Sequence, residues 1–71
     1  MPKLYSSSEI ESVLKKLGFL FITQKGSHAK FKHKDGRIVI LPMTKKEIPF
    51  GTFRSILKQA NITQQKFEEL N

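Results

Sequence analysis

The chain of 71 residues has no cysteine, no tryptophan and only one tyrosine. Without cysteine, neither a disulfide framework nor a thiolate metal site is available. The two histidines, His28 and His33, have no cluster of carboxylates near them in the sequence. Because a catalytic metal site needs about three protein ligands, we expect no metal and no other cofactor.

Long apolar runs are also missing. No run approaches the ~20 apolar residues that span a membrane, and residues 1–8 lack the apolar stretch of a secretory signal. We therefore expect a soluble, cytoplasmic protein without a membrane partner. Its length predicts one domain over residues 1–71, near the lower limit for folding without a disulfide or metal.

Acidic residues are few. Six Asp and Glu stand against thirteen Lys and Arg, which gives a formal net charge of +7. Four of the six acids lie near the ends, so the middle of the chain is more basic than the average. Charge of this kind indicates the type of partner, and the phosphate backbone of a nucleic acid is the commonest.

Apolar spacing and turn residues predict the order α-β-β-β-α with a terminal helical turn. Serines 6–8 can cap a first helix, whose apolar stripe at 10, 13, 14 and 17 ends at Gly18. Three strands are predicted at 19–23, 29–34 and 37–41. Pro49 suits the first turn of a second helix, and Thr63 can cap a short third one. The fold class is α+β, with helices on one face of an antiparallel sheet.

The Asp35-Gly36 pair predicts a hairpin with a two-residue loop between the second and third strands. This register places Ala29, Phe31, His33, Ile38 and Ile40 on the face that packs against the helices. The outer face then receives His28, Lys30, Lys32, Val39 and Leu41. His33 is therefore interpreted as a hydrogen-bonded or rim histidine, and His28 as a solvent-facing one.

The run Gly26-Ser27-His28 is the candidate site, because it places an imidazole directly after a glycine turn. Histidine is the one side chain whose unperturbed pKa allows it to take and give protons near neutral pH. Backbone N–H groups around Gly26 and Ser27 can contact a phosphate. The alternative is a surface histidine without a function.

Basic residues around this run predict salt-dependent phosphate binding. The candidates on the sheet are Lys25, Lys30, Lys32, Lys34 and Arg37, and those outside it are Lys45, Lys46 and Arg54. Base stacking is not expected, because Phe19, Phe21, Phe31, Phe53 and Phe67 fall at core-like positions. Tyr5 and Phe50 are the two aromatic residues that could be exposed.

Several motifs together resemble the HicA toxins, the ribonuclease half of bacterial HicA–HicB toxin–antitoxin modules. They are Leu17-Gly18-Phe19, the run Gln24 to His28, Phe31-Lys32-His33 with Asp35-Gly36, Ile48-Pro49, and the continuous run Gly51 to Ala60. The resemblance covers most of the chain. It implies a double-stranded-RNA-binding-domain-like fold, arrest of translation by mRNA cleavage, and neutralisation by a HicB partner.

The catalytic histidine of that family corresponds to His28. The chain departs from the pattern at Ala29, where many relatives have a second histidine, and at Phe50, where a lysine is expected. A metal-free mechanism would use His28 as general base or acid. A lysine, a water molecule or Tyr5 could serve as the second proton-transfer group.

The HicB-like antitoxin is expected to bind over the cationic sheet and cover His28, while the free chain is expected to be monomeric. Two other interpretations stay open. One is a non-catalytic double-stranded-RNA-binding module, and the other is a structural adaptor whose basic face binds an acidic protein.

Overall fold

A computed structural model describes residues 3–71; residues 1 and 2 of the expected domain lie outside the described part. Helix α1 spans Ser7–Leu17, and three strands follow, β1 (Leu20–Lys25), β2 (His28–Lys32) and β3 (Ile38–Pro42). Helices α2 (Phe50–Ala60) and α3 (Gln64–Leu70) complete the order. The predicted α-β-β-β-α order with a terminal helix is confirmed.

The strands form one antiparallel sheet in the order β1-β2-β3, and the helices pack on one of its faces. Large apolar side chains from the helices, the inner face of the sheet and the connecting segments form the buried core. The largest are Phe19, Phe31, Phe53, Phe67, Ile10, Leu14, Leu41, Ile48, Val13 and Val39. The α+β fold, resembling a double-stranded-RNA-binding domain, is therefore confirmed.

Helix α1 has the predicted ends. The Oγ of Ser6 accepts a hydrogen bond from the N–H of Glu9, and the Glu9 carboxylate accepts one from the N–H of Ser6. This pair is a capping box, which satisfies N–H groups that the first helical turn leaves without partners. At the other end, Gly18 has a φ of 100°, a left-handed conformation that glycine adopts readily.

The predicted register of the second hairpin is wrong by one residue. Lys32 pairs with Ile38 and Phe31 with Val39, whereas the prediction paired Lys32 with Val39. The N–H of His33 donates to the carbonyl oxygen of Arg37, so residues 34–36 form a loop of three residues. Gly36 has a φ of 101°, which fits the three-residue hairpin loop that ends in a left-handed glycine.

This shift reverses the predicted faces of β3. Val39 and Leu41 are fully buried, while Ile38 and Ile40 are 40% and 39% exposed. The faces of β2 are as predicted, since Ala29 and Phe31 are buried and His28 and Lys32 are exposed. The outer face of the sheet therefore carries isoleucines beside the basic residues.

Two predictions about aromatic residues are also wrong. Tyr5 is buried, with its ring 5.2 Å from the ring of Phe53 and 4.8 Å from that of Phe67. Its carbonyl oxygen accepts a hydrogen bond from the N–H of Ile48, which fixes the residue among the helices. Phe21 is 49% exposed, and the other residues of β1 are exposed as well, because helices α1 and α2 pack mainly against the β3 side of the sheet.

Candidate functional site

A tight turn joins β1 to β2 immediately before His28. Lys25 pairs with His28, which leaves Gly26 and Ser27 as the two turn residues. Gly26 has a φ of 58°, and a positive φ at the first central position is typical of a type II′ hairpin turn. Glycine adopts this conformation without the steric cost that a Cβ would add.

Two hydrogen bonds fix the turn. The Nε2 of Gln24 donates to the carbonyl oxygen of Gly26 at 2.9 Å, and the N–H of Met43 donates to that of Ser27 at 2.7 Å. The turn carbonyls are thus occupied. Among the hydrogen bonds of residues 3–71, none is donated by the N–H groups of Gly26 or Ser27, so both groups are open to an anionic ligand.

His28 is the first residue of β2 and is exposed on the outer face. Its cross-strand neighbours are Lys25 on β1 and Pro42 on β3. Residues directly opposite in an antiparallel pair have Cβ atoms about 5 Å apart, which places a lysine beside the imidazole. Within the described residues, no hydrogen bond involves the ring of His28, so both ring nitrogens can meet a substrate.

Two lysines of β2 share the outer face with His28, and three more lie in the segments that follow β2 and β3. Lys30 and Lys32 alternate with the buried residues of β2, and Lys34 follows in the hairpin loop. Lys45 and Lys46 are exposed in the segment after β3. The ion pairs of residues 3–71 involve none of these five lysines, so their charge is available to a phosphate backbone.

The two predicted arginines lie apart from this group. Arg37 binds the carboxylate of Asp35 and the carbonyl oxygen of Ala60, and its guanidinium lies 5.1 Å from the ring centre of Phe19. These contacts connect the hairpin loop to α2. Arg54 is exposed on α2, in the helical layer on the opposite side of the sheet from His28.

His33 has a structural position, as the sequence predicted. Its Nε2 lies 3.1 Å from the carbonyl oxygen of Leu17, and its Nδ1 lies 3.1 Å from both the backbone nitrogen and a carboxylate oxygen of Asp35. Because a carbonyl can only accept, Nε2 is the donor in its contact with Leu17. The ring also packs edge-on against Phe19, with centroids 5.3 Å apart.

Sequence reasoning missed two features near the site. The first is an aliphatic strip on the outer face, formed by Leu20, Ile22, Ile38 and Ile40, all at least 39% exposed. The second is Thr44, a β-branched residue with a φ of 58°. Residues 38–41 are all apolar, so no alternation of polar and apolar residues showed which of them face outward. Nothing in the sequence indicated the positive φ of Thr44.

Two kinds of feature are absent from residues 3–71. No three His, Cys, Asp or Glu side chains come together as metal ligands in that part of the chain. None of its helices has the length and apolarity required to cross a membrane.

A protein-family model matches most of the chain. Residues 7–62 match the family model described as the HicA toxin of bacterial toxin–antitoxin systems. A search of curated proteins found no match. The matched segment contains the whole sheet, the Gly26–His28 turn and α2. Since it covers more than half of the chain, the protein belongs to the HicA toxin family.

Proposed function

We propose that this toxin is a cytoplasmic endoribonuclease that arrests translation by cleaving mRNA, and that His28 carries the chemistry without a metal. The observation that carries the proposal is the exposed imidazole of His28, which follows an open turn and lies beside Lys25 on a basic face. An imidazole can accept and donate a proton near neutral pH.

The reaction transfers the phosphoryl group within the RNA strand. The oxygen of the ribose 2′-OH bonds to the adjacent phosphorus, and the bond from phosphorus to the 5′-oxygen of the next nucleotide breaks. The products are a 2′,3′-cyclic phosphate and a free 5′-hydroxyl. His28 either takes the proton from the 2′-OH or gives one to the departing 5′-oxygen.

A second proton-transfer group is needed, and the structure narrows the choice. Tyr5 is 5% exposed and packs against Phe53 and Phe67 in the core, so it is no longer a candidate. The remaining choices are a lysine and a water molecule. Lys25 is the lysine directly opposite His28, and position 29, where many relatives have a second histidine, is the buried Ala29.

Charge that develops on the phosphate needs stabilisation in the transition state. The N–H groups of Gly26 and Ser27 are open, and Lys30 and Lys32 lie on the same face as His28. The basic face would hold the RNA backbone through its phosphates, with an affinity that falls as salt rises.

The chemistry is tested with purified wild-type chain, an RNA that it cleaves, and the same RNA with one 2′-deoxy nucleotide at the cleaved position. We expect cleavage in the presence of a chelator, a 2′,3′-cyclic phosphate end, and no cleavage of the deoxy-substituted strand. A 3′-hydroxyl product or chelator-sensitive cleavage would contradict the proposal. Binding without cleavage of either RNA would favour the non-catalytic RNA-binding module.

Toxins of this family pair with HicB antitoxins. We propose that the partner binds the outer face of the sheet and covers His28. Support comes from the aliphatic strip, because exposed apolar patches bordered by polar groups commonly mark protein interfaces. Lys30 and Lys32, which share the face with the strip and form no ion pair within residues 3–71, would attract acidic residues of the partner and steer its approach.

A further inference from the structure

Thr44 has a backbone conformation that its side chain disfavours. Its φ of 58° lies in the left-handed region, where a β-branched residue is an outlier. The other residues of positive φ in the described part of the chain are three glycines and Asn61, types that tolerate the region. For threonine the conformation costs roughly 1–2 kcal/mol, so other contacts must hold it.

Ser7 supplies those contacts from the start of α1. Its Oγ donates to the carbonyl oxygen of Pro42 at 2.6 Å and accepts the N–H of Lys45 at 3.0 Å. Its own N–H donates to the carbonyl oxygen of Lys45 at 2.9 Å. Ser7 is 2% exposed. A buried serine thus holds the chain on both sides of Thr44.

The segment held in this way lies directly against the Gly26–His28 turn. Pro42 is the cross-strand partner of His28. The next residue, Met43, donates its N–H to the carbonyl oxygen of Ser27. Thr44 therefore lies only two residues beyond Pro42, the residue paired with His28. Lys45 follows immediately and is also exposed.

The side chain of Thr44 has no packing role, since the turn around it is held through the backbone of Pro42 and Lys45. The side chain of Thr44 is exposed, and its hydroxyl takes part in no hydrogen bond among residues 3–71. Strain that is held by surrounding structure and has no packing role is concentrated at ligand-binding and active sites. Thr44 and Lys45 are consecutive exposed residues, and a hydroxyl and an ammonium group can both donate hydrogen bonds to phosphate oxygens.

We propose that the Met43–Lys46 segment is a second wall of the RNA site, and that Thr44 and Lys45 bind the phosphate adjacent to the one on which His28 acts. This inference rests on the proposed ribonuclease function. It adds Thr44 as a residue that contacts the substrate and positions the scissile phosphate. The left-handed backbone is the means by which Thr44 and Lys45 are presented beside the turn.

The test separates strain from binding with two substitutions at the same position. Thr44→Gly removes the strain and the hydroxyl, while Thr44→Val keeps the branched shape and removes the hydroxyl alone. Each variant is assayed for thermal unfolding, for single-turnover RNA cleavage, and for affinity to the deoxy-substituted RNA. Asn61→Gly, at the other left-handed non-glycine residue of the described chain, is the matched control.

We expect Thr44→Gly to raise the unfolding temperature while it lowers RNA affinity and cleavage about tenfold, the loss that removal of one hydrogen bond to a charged group produces. Thr44→Val should lose affinity and cleavage by a similar factor without the gain in stability. Asn61→Gly should stay within about twofold of wild type in both RNA assays, below the effect of one such bond.

The wild-type and variant results together separate this inference from the proposed function. Suppose that wild-type chain cleaves RNA while both Thr44 variants stay within about twofold of its rate and affinity, a change smaller than the loss of one hydrogen bond. In that case Thr44 does not bind the RNA, and the ribonuclease proposal stands. If wild-type chain neither binds nor cleaves RNA, both fail. If it binds without cleaving, affinity alone decides whether Thr44 contacts the RNA.

Discussion

Lys25 and His28 are directly opposed across the two-residue turn Gly26-Ser27. The pairing places the Lys25 side chain on the same face as His28, whose ring forms no hydrogen bond among residues 3–71. A phosphate bound between them would be contacted by both groups. The relationship depends on the positive φ of Gly26, because the tight turn aligns the two residues.

Replacing Lys25 should weaken RNA binding without affecting the fold. Lys25→Gln removes one exposed charge, so the dependence of log affinity on log salt should become shallower by about one ion. Cleavage should also fall, since the lysine paired with His28 across the turn is lost. Titration of RNA at several salt concentrations measures the slope.

The control for Lys25 is Lys66→Gln, which removes the same charge from an exposed position on α3. We expect wild-type cleavage in this variant. If both variants lose the same affinity and show the same shallower dependence of log affinity on log salt, net charge alone determines RNA binding, and the position of Lys25 does not matter.

The two glycines with φ near 100° should differ in how they tolerate alanine. A Cβ at Gly18 would lie 3.0 Å from the Nε2 of His33, whereas one at Gly36 would meet nothing within 4 Å. Both substitutions incur a backbone cost of about 1–2 kcal/mol. Gly18→Ala should also displace His33 from the carbonyl of Leu17, which adds about 1–3 kcal/mol for an unpaired polar group.

Urea unfolding measures both glycine variants. The free energy of unfolding of Gly18→Ala should be lower than that of Gly36→Ala. Equal values would mean that the His33 ring moves aside at no cost, and that its contact with the end of α1 contributes little to stability.

Stability should depend on pH through Asp35. Hydrogen bonds from the side chain and backbone N–H of Arg37 lower the pKa of this carboxyl. Because the folded-state pKa lies below the unfolded value of about 3.9, the carboxylate stabilises the fold above that pH. The contribution is lost as the pH falls through the folded-state pKa.

An Asp35→Asn variant tests this assignment by urea unfolding between neutral and acidic pH. Wild type should be the more stable at neutral pH, and the difference should shrink below about pH 4. Glu69→Gln controls for the loss of one exposed carboxylate. A difference between wild type and Asp35→Asn that is constant with pH would show that the ionised carboxylate is not responsible.

The proposed partner surface predicts a variant that escapes neutralisation. Ile38→Asp removes an apolar contact from the aliphatic strip and adds a charge that repels an acidic partner. We expect at least tenfold weaker binding, or about 1.4 kcal/mol, to a HicB antitoxin that binds wild type. Ser55→Asp adds the same charge on α2, in the helical layer, and should bind normally.

Local signals predicted the fold well where they did not depend on distant contacts. The capping serine and glutamate, the apolar stripes and Gly18 fixed α1 correctly. The alternation of β2 placed His28 and Lys32 outside and Phe31 inside. These features rest on spacing within one element, which a sequence displays directly.

The remaining features depended on contacts between elements. Asp35-Gly36 is compatible with hairpin loops of either two or three residues, and the unbroken apolar run of β3 could not decide between them. Tyr5 is buried because its carbonyl pairs with Ile48, more than forty residues later. The strain at Thr44 likewise arises from Ser7, which is distant in sequence.

The most direct measurement compares His28→Ala with His33→Ala in single-turnover cleavage of the same RNA, below the unfolding temperature of both. His28→Ala should keep the stability of wild type and lose cleavage. His33→Ala should lose about 1–3 kcal/mol of stability through the unpaired carbonyl of Leu17 and cleave at the wild-type rate. Full cleavage by His28→Ala would contradict the assignment of the chemistry to this histidine.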